Sequence, residues 1–394
     1  MNNNTSSGSY RSGRHFLQVP GPTNVPDRII RAMAQPTIDH RGPEFAELTL
    51  AILPKLQWAF GASGPVIIYP GSASGGWESS IVNTLSAGDK ILMFDSGFFA
   101  GNWRSIAERF GLDVELIECD WRVGVDANTV EDRLKQDSDH EIRSVMLVHN
   151  ETSSGVTNPV AEVRKAIDAA GHPALFMVDA VSSAGSIEYR QDDWRVDVTI
   201  AGSQKGLMLP PGMCFNVLSE KAIEASKSAT LPKSYWSWEE ALPSMETGFF
   251  PYTPASILFF GLHEALLMME EEGLENIYAR HARHAEATRR AVAAWGLENY
   301  CSIPERSSDT VTTVLVPEGV SANAIRKVIL ERYDMSLGTG LGRLKDQVFR
   351  IGHIGSFNDL MLAGTLAGVE MGLANAGVGH NPGGIMAALD YLKG

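Results

Sequence analysis

The chain has 394 residues, 44% of them hydrophobic and 20% charged, with a formal net charge of −14. That length suits two domains of ordinary size, and that composition belongs to a globular chain and not a disordered one. So acidic a chain is a poor general binder of nucleic acid or of an anionic membrane, and any anion it takes must sit in a local pocket.

In chain order, residues 1–18 read as a polar arm rich in Asn, Ser and Gly. The stretch Val19-Pro20-Gly21-Pro22-Thr23-Asn24-Val25-Pro26 holds too much proline and glycine for a helix or an inner strand. A helix is expected over 44–60. Short apolar runs then follow at 66–69, 90–94, 114–118, 143–148, 174–178, 197–201 and 213–218, with helix patterns at 77–85, 100–110, 130–135 and 160–170 between them. Short, continuously apolar runs alternating with helices predict an α/β domain around a mostly parallel sheet covered on both faces. Residues 231–254, rich in aromatics and proline, read as a long loop. Helices over 254–272 and 274–295, strands at 311–316 and 348–352 and a helix at 322–332 complete the pattern. The expected division is an arm at 1–18, a large domain at 19–273 and a small C-terminal α+β domain at 274–394.

The three cysteines, Cys119, Cys214 and Cys301, are widely spaced and form no C-x-x-C, so neither a disulfide scaffold nor structural zinc is expected. The pair His281 and His284, i and i+3 among Arg and Glu neighbours, reads as a solvated helix face and not as a metal site. No run of eighteen apolar residues is present, and the first fourteen residues lack the apolar core of a signal peptide, so a cytoplasmic location is expected.

Four segments carry chemistry. Pro70-Gly71-Ser72-Ala73-Ser74-Gly75-Gly76 follows a strand and opens a helix. It is either a tight turn or a cup whose free N–H groups and serine hydroxyls hold an anion. No Lys-Ser or Lys-Thr follows, and the G-x-G-x-x-G spacing is absent, which disfavours P-loop and dinucleotide sites. Asp179 ends an apolar strand, where open α/β sheets bind ligands; it would hold a metal or a protonated ring nitrogen, or simply cap the next helix. Lys205, among small and apolar residues after another strand, would lose solvation and become nucleophilic, or else lie exposed in a loop. Arg350, inside the apolar strand Val348-Phe349-Arg350-Ile351, needs an anionic partner, either a substrate carboxylate or a structural ion pair. A phosphate cup, an acid for a pyridinium nitrogen, a Schiff-base lysine and a carboxylate-binding arginine are together the requirements of pyridoxal 5'-phosphate.

These residues stand in wider stretches that resemble the fold-type I, class V aminotransferases, the serine–glyoxylate and alanine–glyoxylate branches in particular. The carriers are Val19-Pro20-Gly21-Pro22-Thr23-Asn24, Asp39-His40-Arg41, His149-Asn150-Glu151-Thr152 with Gly155-Val156, Val178-Asp179-Ala180-Val181-Ser182-Ser183, Gly202-Ser203-Gln204-Lys205-Gly206, Pro251-Tyr252-Thr253-Pro254 and Phe349-Arg350-Ile351-Gly352-His353. They extend from residue 19 to about residue 376, nearly the whole chain. The resemblance implies a fold-type I PLP-transferase, with Lys205 as the Schiff-base lysine and Asp179 on the ring nitrogen. It implies Ser72, Ala73, Ser74 and Gln204 around the phosphate, Thr152 on the ring hydroxyl and Phe99 stacked on the ring. It puts Arg350 and Gly21 at the substrate, and Tyr252 and Thr253 on the phosphate across a homodimer interface. His40 and Arg41 either reach the distal end of the substrate or anchor the N-terminal segment.

The implied activity is a ping-pong transfer of an amino group from a small amino acid, serine first, to glyoxylate. Aspartate, alanine and other donors such as an amino sulfonate are alternatives. Three departures bear on this: Ser72-Ala73-Ser74 where Ser-Gly-Thr or Ser-Gly-His is usual, Phe249-Phe250 where a tyrosine is expected, and the aromatic run Ser234-Tyr235-Trp236-Ser237-Trp238. If that run lies near the substrate, the donor need not be serine. A cysteine desulfurase would need a mobile cysteine in a Gly/Ser loop, which none of the three cysteines occupies. A binding protein that had lost its chemistry would lack the Lys, Asp or Arg, and all three are present.

Overall fold

The computed structural model describes residues 12–394. The expected polar arm therefore lies mostly outside the described residues, but its last part is a strand, β1 (Phe16–Gln18). Helices α1 (Asp27–Met33) and α2 (Pro43–Phe60) follow. Helix α2 starts on a proline, whose missing N–H is no loss in a first turn, and stops at Gly61 in the left-handed conformation, φ +59°.

Strand and helix then alternate as expected. The order is β2 (Val66–Gly71), α3 (Ala73–Thr84), β3 (Lys90–Asp95), α4 (Phe98–Arg109), β4 (Asp113–Glu118), α5 (Ala127–Gln136) and β5 (Ile142–Val148). A small antiparallel pair, β6 (Asn150–Glu151) and β7 (Val156–Thr157), precedes α6 (Val160–Ala169), β8 (Leu175–Asp179), β9 (Val198–Gly202) and β10 (Gly212–Leu218). All seven apolar runs join one seven-stranded sheet in the order β2-β10-β9-β8-β5-β3-β4. Only β10 runs against its neighbours. Strands β8 and β9 are buried at every residue, which is why they read as unbroken apolar runs.

The chain continues through α7 (Glu220–Ser226), α8 (Trp238–Glu246), α9 (Ser256–Glu272) and α10 (Leu274–Ala294). A second sheet follows, built from β11 (Glu298–Asn299), β12 (Val311–Leu315), β13 (Met335–Thr339) and β14 (Val348–Gly352), with α11 (Ala322–Tyr333), α12 (Asp359–Asn375) and α13 (Gly384–Leu392). Its order is β1-β13-β14-β12-β11, with β1 parallel to β13 at one edge. Among the described residues, one large apolar core surrounds the large sheet and another the small sheet, with a minor cluster of Trp121, Leu344 and Val348; α10 contributes Ile277 to the first and Ala287, Ala291 and Val292 to the second.

Three expectations are corrected. The helix expected from residue 77 begins at Ala73, because Gly75 and Gly76 are demanded by close neighbours and do not mark a turn. A Cβ on Gly75 would lie 2.5 Å from Trp236, and one on Gly76 would lie 3.0 Å from Ile200. The loop expected over 231–254 contains α8, whose buried Trp238, Ala241 and Met245 keep helical spacing despite an internal Pro243. His281 and His284 are buried and not solvated, since their face of α10 packs inward. His281 accepts the N–H of Gly355 at 3.1 Å, and His284 lies 2.9 Å from Asp359. Beyond residue 352, where no element is expected from the sequence, lie α12 and α13, and glycines 368 and 372 of α12 admit Met335 and Ile329 at close approach.

Candidate active site

Parallel strands deliver their carboxyl ends to one edge of the sheet, and open α/β sheets bind ligands at that edge. Here the edge collects Ser72, Ala73 and Ser74 after β2, Phe99 after β3, Asn150 and Thr152 after β5, Asp179 at the end of β8, and Gln204 and Lys205 after β9. Together with Gly21 from the N-terminal segment they line one cavity of about 260 Å³. This is below the roughly 300–1,000 Å³ of drug-sized pockets.

Lys205 is 8% exposed. Its Nζ donates to the carbonyl oxygen of Pro20, and Thr23 N–H donates to the carbonyl of Gln204 at 3.1 Å, so the N-terminal segment is strapped across the lysine. Gly21 sits under this strap with φ +103°, and a Cβ there would come within 2.4 Å of Nζ, so only glycine fits. Burial, helped by the charge of Arg350, pulls the Lys205 amine down to about 7. The lysine is buried and is not an exposed loop residue.

Asp179 is buried as well. Its Oδ2 accepts from Trp77 Nε1 at 3.0 Å and its Oδ1 accepts from the N–H of Val181 at 2.8 Å. Burial pushes its carboxyl up to about 7 against those two bonds. No helix follows Asp179 before the next strand, so the helix-cap alternative does not apply; the Val181 bond holds a local turn, and the residue faces the cavity.

Ser72 precedes α3 and makes no capping bond with its side chain. The first amides of the helix, at Ala73 and Ser74, therefore point from an uncapped N-terminus into the cavity wall. Gln204 Oε1 is buried without a hydrogen-bond partner. Buried amides are nearly always satisfied, so this one signals a missing ligand group, and the same amide turned over offers two N–H donors. An uncapped helix start, two serines and an unpartnered amide fit a phosphate. A buried carboxyl and a buried amine beside them fit the ring nitrogen and aldehyde of pyridoxal phosphate.

Arg350 does not line the cavity itself but adjoins it, with Nη1 donating to the carbonyl of Thr152 and Nε to that of Thr339, both at 2.8 Å. Among the described residues no carboxylate pairs with it, which removes the structural ion pair as its explanation. Burial lowers the guanidinium to about 10, so it is still cationic at neutral pH. Thr152 Oγ1 lies 2.6 Å from Ser182 Oγ, and Ser182 donates to Asn150 O at 2.9 Å.

Other expected residues lie elsewhere in the single chain. Arg41 is exposed and away from the cavity. Tyr252 stacks on Tyr235, with ring centroids 4.8 Å apart, and neither it nor Thr253 lines the cavity. The aromatic run does not line it either: Trp238 is fully buried, and Trp236 lies against the outer side of α3.

Sequence reasoning missed several contributors. Trp77 orients Asp179, Ser182 orients Thr152, and Pro20 receives the lysine. Glu151, fully buried, accepts from Ser153 Oγ at 2.6 Å and from Ala100 N–H at 3.2 Å, and so fixes the start of the helix carrying Phe99. Pro20, Glu151 and Ser182 lie in the stretches that carry the resemblance, but the contacts that give Trp77, Ser182, Pro20 and Glu151 these roles are mostly distant in sequence. Among the described residues, no group of three or more His, Cys, Asp or Glu could hold a metal ion.

The class-V aminotransferase family model matches residues 60–342. A serine–glyoxylate aminotransferase of Methylorubrum extorquens is 49% identical over 394 residues, covering 98% of each chain. An L-aspartate–glyoxylate aminotransferase of Paracoccus denitrificans is 44% identical over 377 residues, covering 95% of each. Among solved structures, pyridoxamine–pyruvate aminotransferase of Mesorhizobium loti has a TM-score of 0.91 at 29% identity, over 98% of this chain and 99% of that one. With the family model matching most of its length and relatives matching nearly all of it, the chain belongs to the class-V aminotransferases.

Proposed function

We propose that this protein transfers the amino group of serine to glyoxylate, giving hydroxypyruvate and glycine, with pyridoxal phosphate held in the cavity. The observation that carries the reading is the convergence of a buried lysine, a buried aspartate and an uncapped helix start on one small cavity. When bound, the cofactor's ring supplies the sink for the electron pair left when the substrate's Cα–H bond is broken.

The chain's own residues do the rest. Lys205 Nζ, neutral above about pH 7, takes the Cα proton and returns it, as a general base and then a general acid. Asp179 holds a proton on the ring nitrogen, its own geometry fixed by Trp77 and Val181. The amides of Ala73 and Ser74, with Ser72 and Gln204, hold the phosphate. Thr152 meets the ring hydroxyl, and Phe99 forms a flat wall. Arg350 takes the substrate carboxylate and so sets the angle of the Cα–H bond.

Serine is placed before aspartate because the serine–glyoxylate aminotransferase of Methylorubrum extorquens is 49% identical to this chain and the L-aspartate–glyoxylate enzyme 44%. The reading also includes a homodimer, in which Tyr252 and Thr253 complete the partner's phosphate site and Arg41 anchors the N-terminal segment or reaches the distal end of the substrate. No helix among the described residues is long and apolar enough to cross a membrane. A cytoplasmic location, and a domain boundary near Gly273, complete the proposal.

Assays of glycine formation from glyoxylate test this, with serine, aspartate or alanine as donor. Serine should give the highest kcat/KM; preference for aspartate would replace the donor. Lys205→Ala should fold yet lower kcat by about 10²–10⁴ or more; near-normal turnover would remove the lysine from the chemistry. Arg350→Ala should raise KM for serine and glyoxylate about ten- to hundredfold, the scale of a hydrogen bond to a charged group, and unchanged KM for both would contradict its role.

The lowered Lys205 amine also sets a pH dependence. An amine near pH 7 is neutral above that value and protonated below it, and only the neutral form attacks a carbonyl. Uptake of pyridoxal phosphate by the cofactor-free chain should slow as pH falls below about 7. A rate that is flat down to pH 5 would contradict the assignment.

A further inference from the structure

We propose that Trp236 is a positioning residue for the phosphate cup, holding the first turn of α3 where Ala73 and Ser74 meet the anion. The inference rests on the reading of that turn as the phosphate site. It concerns the aromatic run that the catalytic assignment leaves unused.

The first turn of α3 is weak by composition. It reads Ala73-Ser74-Gly75-Gly76, contains no acidic residue, and follows a Ser72 whose side chain makes no capping bond. Two glycines lower the helix propensity of this turn relative to alanine. An anion site built from helix-start amides needs them held still before the ligand arrives. The turn must therefore be braced from outside.

Residues 236–238 supply the brace. The indole of Trp236 lies on the turn so closely that a Cβ on Gly75 would be 2.5 Å from its Cη2, and one on Gly71 would be 3.7 Å away. Its Nε1 donates to Glu78 Oε1, one turn further along the helix, at 2.9 Å. Its carbonyl oxygen accepts from Asn83 Nδ2 at 2.7 Å and from Tyr69 Oη at 2.9 Å. Trp238 donates from Nε1 to Ser79 Oγ and from its backbone N–H to Asn83 Oδ1, both at 3.0 Å. One short segment thus grips the helix at residues 75, 78, 79 and 83 and the strand before it at Tyr69. Gly75 is the corollary: the turn gives up helix propensity so that the ring can seat.

The test compares two ligands on the full chain cleared of cofactor: pyridoxal 5'-phosphate, and pyridoxal, which lacks the phosphate. Trp236→Ala should weaken pyridoxal phosphate about ten- to hundredfold, the scale on which outer supporting groups act, while pyridoxal affinity changes by less than about twofold. Trp236→Phe keeps an aromatic ring beside the turn but loses the bond to Glu78 and the reach of Cη2 to Gly75, and should show a loss of the same kind no larger than that of the alanine variant; it carries the test if the alanine variant does not fold. Equal losses for both ligands, or none for either, would overturn the positioning role. A wild-type chain that binds pyridoxal phosphate no tighter than pyridoxal would overturn the phosphate cup itself, and this inference with it.

Discussion

A buried amine is the constraint around which this site is arranged. An ammonium group in apolar surroundings is costly, so Lys205 is driven toward its neutral form, which is the form that reacts with a carbonyl. The burial is not supplied by the sheet alone. Pro20-Gly21-Pro22 closes over the lysine, the Pro20 carbonyl accepts its N–H, and the missing Cβ of Gly21 leaves it space. The strap in turn adjoins the small sheet, where a Cβ on Gly352 would strike the Val19 carbonyl at 2.2 Å. The environment of the reactive amine thus depends on three distant parts of the chain: the N-terminal segment, the end of β9 and the last strand of the small sheet.

The same low-polarity setting tunes the groups around it in opposite senses. Burial raises the Asp179 carboxyl and lowers the Lys205 and Arg350 cations. None of the three has an ion-pair partner among the described residues. Buried groups left in that condition are expensive in a free protein, and the cost is offset only when a ligand brings complementary charge. A pyridinium N–H for Asp179, a carbonyl carbon for Lys205 and a carboxylate for Arg350 are the complements that the proposed cofactor and substrate provide.

Much of this was legible in the sequence, and the reason is geometric. Short apolar runs mark strands, so all seven members of the large sheet are legible, the partly exposed edge strand β4 included, and their ends point to Asp179, Lys205 and the Ser72–Ser74 turn. Features set by contacts between distant segments were not legible. The start of α3 is hidden because Gly75 and Gly76 read as a turn, whereas Trp236 and Ile200 require them. Helix α8 was hidden by proline and aromatics. His281 and His284 read as exposed because charged neighbours masked a face that packs inward. Trp77, Ser182 and Glu151, which hold site residues in place, have no sequence pattern that betrays their partners.

The measurement that bears most directly on the account is a single half-reaction followed by visible absorption. The cofactor-loaded protein is mixed with serine in the absence of any oxo acid, and glyoxylate is added afterwards. If the cavity passes an amino group between these substrates, serine alone discharges the long-wavelength band of the bound cofactor and glyoxylate restores it. A band that survives serine, aspartate and alanine alike would contradict the account.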